Sequence, residues 1–372
     1  MNVEPALRPA IVAVDVLDGV RSALLRFSAR TAGLRFIIAS RDIRLGVQSF
    51  LSAAVLAFAT LRVPGLLLVV GPALFGVPHL VGDVRHIVIR SDLSRGWIRI
   101  VVVACAGLVA IRLGELAAPS TARYALVEAV AGWSWVAAGV VLGSRAGQSV
   151  RRGLLVALPV AVLAVASMRS PELARAIFAY AHNAVALVVW VTMFRSRRIA
   201  AVPAIVTVGA IAFLFASGSL VPWAHWEGPW GRQVVAESLT VAGRPMAPVA
   251  AMGIGLSYLY LQAVHYAVWV SWIPQDDMQG CGSATFRMTV RALRRELSGA
   301  GCVLVTAAAI AVLVGSFVCG QRARTAYFSV AAFHAWLEIA ALAYFLAGGK
   351  ASPTGPRRPW RACRAQGWVK TI

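Results

Sequence analysis

The chain has 372 residues, 59% hydrophobic and 14% charged, with a formal net charge of +21 and a mean hydropathy of +0.74. Apolar runs of about 20 residues recur along it, the length a helix needs to cross a bilayer, which excludes an ordinary soluble domain. The basic residues punctuate these runs instead of forming one stripe, so the charge argues against nucleic acid as a partner and for topology and anionic lipid.

Residues 1–44 carry seven arginines (Arg8, Arg21, Arg26, Arg30, Arg35, Arg41 and Arg44) and no sustained apolar run, unlike a cleavable signal peptide. Val16, Val20, Leu24 and Phe27 share one helical face. This segment reads as a cytoplasmic lead-in whose basic amphipathic helix lies on the inner leaflet or packs on the cytoplasmic face of the bundle.

Residues 45–348 read as one all-α, polytopic integral membrane bundle of about ten transmembrane helices. The spans fall at roughly 45–63, 65–84, 97–117, 122–143, 153–168, 173–194, 200–222, 247–273, 300–318 and 325–347. With the N-terminus inside, most of the 36 basic residues fall on the inner side, so both termini are expected in the cytoplasm. This describes a multi-pass protein of a bacterial inner membrane.

Trp223, Trp226 and Trp230 in the long outer loop 223–246 resemble an interfacial aromatic belt, and Trp269 and Trp272 are expected at the inner interface. In the inner loop 274–299, Phe286 to Leu297 fits a short basic helix. The tail 349–372 is basic, rich in Pro and Arg, and expected to be disordered.

Ionisable side chains within the spans are costly and mark function by default. His79, Asp83 and His86 share one helical face in Gly76-Val77-Pro78-His79-Leu80-Val81-Gly82-Asp83-Val84-Arg85-His86, where Pro78 permits a kink and Gly76 and Gly82 permit close helix approach. His86 reads as an interface marker, with an Asp83–Arg85 pair as the structural alternative for Asp83. His182 and His265 are single, while His334 and Glu338 are again four apart. His79, His182, His265 and His334 fall on spans two, six, eight and ten, which run in the same direction, and their depths agree within about 15 Å. One shared centre is therefore permitted. These four are the expected metal ligands, and Asp83 and Glu338 the expected catalytic carboxylates, Asp83 oriented towards His79 or His86 and Glu338 towards His334. Glu128 stays open between ligand, proton carrier and paired acid, and His225 is left out as an interfacial residue.

Several imidazoles with a carboxylate suit iron, copper or zinc, and histidine-dominated sites with open positions suit Fe(II) and dioxygen. The five cysteines contain no CxxC pair, so neither a disulfide framework nor a zinc–cysteine site is expected. The only lysines, Lys350 and Lys370, lie in the tail, which excludes a retinal Schiff base within the bundle. No phosphate-binding glycine motif in a strand–helix context is present.

Gly76-Val77-Pro78-His79 followed by Asp83 resembles the Gly-x-Pro-His-Gly-x-x-Asp-His motif of the bacterial β-carotene dioxygenase (Brp/Blh) family. The resemblance implies a histidine-ligated non-haem iron enzyme that cleaves a polyene, with His79 an iron ligand and Asp83 its motif partner. It covers about a dozen residues. Leu80 replaces the family's glycine, the second histidine stands at His86, and the later His-x-x-x-His motif has no counterpart.

The leading reading is a membrane-embedded metal oxygenase, an oxidoreductase with Fe(II), acting on a lipophilic substrate such as a polyene or lipid. The alternatives are a b-type haem electron-transfer protein ligated by His182 and His265, a proton- or ion-coupled transporter, and a scaffold with no site. The substrate and the oligomeric state are not legible.

Overall fold

The computed structural model describes residues 4–39, 41–91, 93–118, 121–194, 201–226, 240–241, 244–245, 247–276, 285–318 and 321–349. Trp230, Cys281, Cys319, Cys363, both lysines and the tail beyond residue 349 lie outside the described residues. The chain is a helical bundle. Two antiparallel strands of two residues each, β1 (Thr240–Val241) and β2 (Arg244–Pro245), form a small ribbon.

The helices are α1 (Glu4–Arg30), α2 (Ala32–Ala39), α3 (Arg41–Arg62), α4 (Pro64–Gly71), α5 (Val77–Asp83), α6 (Arg95–Ala117), α7 (Thr121–Ala146) and α8 (Val150–Arg169). They continue with α9 (Pro171–Val189), α10 (Val202–Ala216), α11 (Pro248–Ala267), α12 (Ile273–Asp276), α13 (Phe286–Val318) and α14 (Gln321–Leu346). Proline opens α4, α9 and α11, where its missing N–H costs nothing. Ser94 caps α6 by accepting from the Trp97 amide, and Ser149 caps α8 by accepting from Arg152.

Among the described residues, four π-helical segments interrupt the α-helical ladder: π1 (Pro72–Gly76), π2 (Val84–Ile89), π3 (Trp190–Phe194) and π4 (Val268–Trp272). Pro72 opens π1 and Pro78 follows it closely; neither donates a backbone N–H, and the wider π turn absorbs the broken register.

Among the described residues, seven helical stretches are long and apolar enough to cross a membrane. The expectation of ten spans is thereby corrected. All ten expected stretches are helical, but three miss the combination of length and apolarity. The second is divided into α4, π1, α5 and π2, and the seventh, α10, has only 15 residues. The eighth, α11, carries Ser257, Tyr258, Tyr260, Gln262, His265 and Tyr266, which lower its hydropathy.

The bundle is organised around α7 and α14. Among the spanning windows, those of α14 and α7 are 61% and 50% buried, whereas α8 and α13 are 6% buried each and present apolar side chains outward. Gly139 and Gly143 on α7, with Gly147 just past its end, form a G-x-x-x-G-x-x-x-G row. A Cβ at Gly143 would lie 2.1 Å from the Tyr344 carbonyl oxygen, and one at Gly139 2.6 Å from that of Ala340. Only hydrogen at these positions lets the two backbones meet. Trp97 of α6 stacks on Tyr344 with ring centroids 5.1 Å apart, closing the other side of α14.

The apolar stripe of α1 is open. Val16, Val20, Leu24 and Phe27 are all more than half exposed, so this face is not packed on the bundle. The opposite side of α1 is tied down: Asp18 accepts from the backbone amides of Phe286 and Arg287 at the start of α13, 2.8 and 3.0 Å away. The short basic helix expected over 286–297 is present as the first part of α13, which turns at Ser298, where φ is +64°. Trp269 and Trp272 do not mark an interface. They are 0% and 1% exposed, because π4 runs through the core against Trp190 and α5.

Candidate metal centre

His79 and Asp83 stand on α5, His182 on α9, His265 on α11, and His334 and Glu338 on α14. Three of these helices run into π segments, a common accompaniment of functional sites in helical proteins. At Gly82, a Cβ would meet the Trp269 carbonyl oxygen at 3.2 Å, so the bare α-carbon lets α5 lie directly against π4.

The four imidazoles converge. The ring of His79 lies 4.8 Å from that of His334 and 5.2 Å from that of His265, centroid to centroid. The ring of His182 lies 5.2 Å from each of His265 and His334, and the last two are 5.7 Å apart. Donor nitrogens of His79, His265 and His334 all fall within 4.8 Å of one another. Four residues spread over 256 positions of chain thus meet in one place inside the bundle. His79, His265 and His334 are buried, and His182, at the edge of the group, is half-buried.

The helices fix the orientation of the rings. His79 Nδ1 lies 3.1 Å from the Phe75 carbonyl oxygen and His182 Nδ1 3.2 Å from that of Phe178, while His334 Nδ1 pairs with the Ala331 carbonyl. A carbonyl only accepts, so in each ring Nδ1 carries the hydrogen and Nε2 keeps its lone pair. The Nε2 atoms of His79 and His334 are buried and have no hydrogen-bond partner, and neither ring nitrogen of His265 has one. Buried polar atoms are almost always satisfied. An orphaned set of nitrogen donors close to one another, with His79 and His334 held in the tautomer that leaves Nε2 free to ligate, fits a transition-metal ion.

Two carboxylates stand beside the imidazoles. Donor atoms of Asp83, His334 and Glu338 form a second group, again within 4.8 Å of one another. Asp83 and Glu338 are both 0% exposed. The Glu338 Oε1 atom accepts from the Trp269 indole N–H at 2.6 Å and lies 3.4 Å from His265 Nε2. Neither Asp83 oxygen nor Glu338 Oε2 has a hydrogen-bond partner.

Some expected pairings are different in the structure. Asp83 does not orient His79, whose Nδ1 is taken by Phe75, and it faces His334 and Glu338. Nor does Asp83 pair with Arg85, which is bound to Glu296 of α13. Glu338 meets His265 on another helix as well as His334 on its own. An i,i+4 spacing places two side chains on one face but leaves open which neighbour across the interface is nearer. His86 is 3% exposed, with its ring 6.1 Å from that of Phe194, so it is a packed core residue apart from the centre. His225 is also apart from the centre: its Nε2 lies 3.1 Å from Arg62 Nη1, and its amide donates to Leu61.

Glu128 is a paired buried acid. It contacts Arg112 at 3.0 Å and Arg175 at 2.8 Å, and both arginines also hold Glu115, at 3.3 and 2.8 Å. The Trp336 indole adds a 3.4 Å bond to Glu128. The network joins α6, α7, α9 and α14 beside the centre without entering it.

Two residues escaped sequence reasoning. Trp269 holds Glu338, and the available signal was its spacing four residues after His265, on the same face of α11 and π4. Tyr266 brings its ring to 4.7 Å from that of His79, and its hydroxyl accepts from Gln262 at 3.1 Å. Comparison with protein-family models, with curated proteins and with solved structures finds no match to this chain.

Proposed function

We propose that the protein is a membrane-embedded oxygenase that holds Fe(II) on His79, His182, His265 and His334 and acts on a lipophilic substrate such as a polyene or lipid. The observation that carries this reading is the meeting of four imidazoles from four helices at one place inside the bundle, three of them oriented by backbone carbonyls. When bound, ferrous iron supplies dioxygen binding and activation, which imidazole-rich sites with open positions support.

The protein's own residues orient and balance the centre. The carbonyls of Phe75, Phe178 and Ala331 fix three ring tautomers. Asp83 and Glu338 place two carboxylates beside the imidazoles, so their negative charge offsets a divalent cation in a region of low polarity. Trp269 fixes the Glu338 carboxyl. The rings of Tyr266, Phe178 and Trp336 beside the imidazoles suit an apolar substrate. The likeness of Gly76 to Asp83 to the β-carotene dioxygenase motif agrees with this reading, and a polyene is the substrate class it suggests. The distribution of arginines supports cytoplasmic termini, as expected of a protein of a bacterial inner membrane.

The close, edge-on contact of His182 with both His265 and His334 favours a metal ion over a haem sandwiched between His182 and His265, since a macrocycle needs a flat gap between its axial ligands. The test is metal analysis and an optical spectrum on one detergent-purified sample, followed by oxygen-electrode measurements with a polyene. Stoichiometric iron without a Soret band, and oxygen uptake that needs both iron and polyene, are the expected results. Metal-free protein that resists loading, or a haem spectrum, would overturn the reading.

A further inference from the structure

We propose that Asp83, Glu338 and His334 hold a second divalent cation beside the first, so that the centre is dinuclear with Glu338 as the shared ligand. The inference rests on the metal-centre reading above and extends it to a site with different donor chemistry.

The donor atoms of Asp83, His334 and Glu338 lie within 4.8 Å of one another, close enough to surround one ion. Their side chains come from two helices, α5 and α14, and the packing of Gly76, immediately before α5, against Tyr327 of α14 brings the two together. Asp83 and Glu338 are fully buried, and three of their four oxygens have no hydrogen-bond partner. Among the described residues no arginine or lysine is ion-paired with either one, although the buried Glu128 and the half-buried Glu115 are each paired with two arginines. Acids that are matched elsewhere in the bundle contrast with these two, which are left open towards a common point. Two carboxylates in a water-poor interior need a cation or a proton to offset their charge, and a divalent ion offsets both at once.

The two halves of Glu338 face different ways. Its Oε1 is turned to His265 and Trp269, on the imidazole side, and its Oε2 is the unpartnered oxygen. That is the disposition of a bridging carboxylate, as in helical bundles where glutamates and histidines from four helices hold two metals. His334 belongs to both donor groups and offers one free nitrogen. With two ions bound, it serves the carboxylate side, and His182 joins His79 and His265 on the other.

Manganese(II) decides the matter because its electron spin resonance distinguishes isolated from coupled ions. The full-length protein in detergent is stripped of metal, loaded with MnCl2 alone and desalted. The expected result is about two Mn(II) per chain with an exchange-coupled spectrum, the ions lying about 3.5–4 Å apart. Asp83→Asn is expected to retain about one, with the six-line spectrum of an isolated ion. One isolated Mn(II) in the unaltered protein overturns the dinuclear site and leaves the imidazole centre standing. No bound metal overturns both. Retention of both ions by Asp83→Asn also overturns the assignment, and if that variant does not fold, the count and spectrum of the unaltered protein decide alone.

Discussion

Replacing Trp269 by Phe removes the N–H that donates to Glu338 at 2.6 Å and leaves both carboxyl oxygens of a fully buried residue without a hydrogen bond. A hydrogen bond to a charged group is worth about 1.5–3 kcal/mol, and the smaller ring adds the cost of a void. The void cost is removed by comparison with Trp272→Phe. Trp272 is 1% exposed, lies three residues along the same π segment, and its indole N–H has no partner. The difference between the two variants therefore isolates the bond. Trp269→Phe is expected to be the less stable by about 1.5–3 kcal/mol, a ratio of roughly 10 to 150 in the unfolding equilibrium. Equilibrium unfolding in mixed micelles, followed by circular dichroism, measures the difference. Because Glu338 adjoins His265, Trp269→Phe is also expected to weaken metal retention about 10- to 100-fold, and Trp272→Phe to leave it unchanged. Equal stabilities and equal metal retention would refute the assignment of Trp269 as the residue that holds Glu338.

Glu128→Ala leaves Arg112 and Arg175 with Glu115 alone, and the expected loss is about 3 kcal/mol of unfolding free energy, with metal content unchanged. His86→Ala is expected to reduce stability through lost packing against Phe194 while leaving bound metal as it was, which metal analysis of folded protein checks. Asp18 gives a pH dependence outside the membrane. Desolvation raises its pKa, but the amides of Arg287 and Phe286 and the Arg21 guanidinium outweigh it and hold the carboxyl below the ordinary 3.8. A depressed carboxyl stabilises the folded contact at pH values above its unfolded pKa and loses that contribution as pH falls through the folded one. Amide exchange at Phe286 and Arg287, corrected for intrinsic rate, should therefore accelerate in acid below about pH 4, and Asp18→Asn should abolish that dependence.

Much of the centre was legible in the sequence because a membrane makes buried imidazoles conspicuous. Span order gave the direction of each helix, and counting residues gave depths that agreed for His79, His182, His265 and His334. Lateral neighbours were not legible. Nothing in the Asp83 or Glu338 spacing specifies that Asp83 faces α14, or that Glu338 reaches His265 across the bundle. The π segments were hidden too, although Pro72 and Pro78 hinted at one of them. Their effect is concrete: Trp269 and Trp272 look like interfacial anchors on a straight helix and are core residues on the observed one. The α7–α14 contact was readable in principle from Gly139, Gly143 and Gly147. The helix count was not legible either, because backbone breaks divide the run from α4 through π2, α10 is short, and polar side chains lower the hydropathy of α11.

The central claim is that a transition metal is held by imidazoles from four helices. It is tested most directly by plasma mass spectrometry of iron-loaded protein after passage over a chelating column, comparing the unaltered chain with His79→Ala, His182→Ala, His265→Ala and His334→Ala. The account predicts iron retained by the unaltered protein and sharply reduced in every one of the four, each still folded by gel filtration and circular dichroism. Iron held equally well by all four variants, or by none of the five proteins, would contradict it.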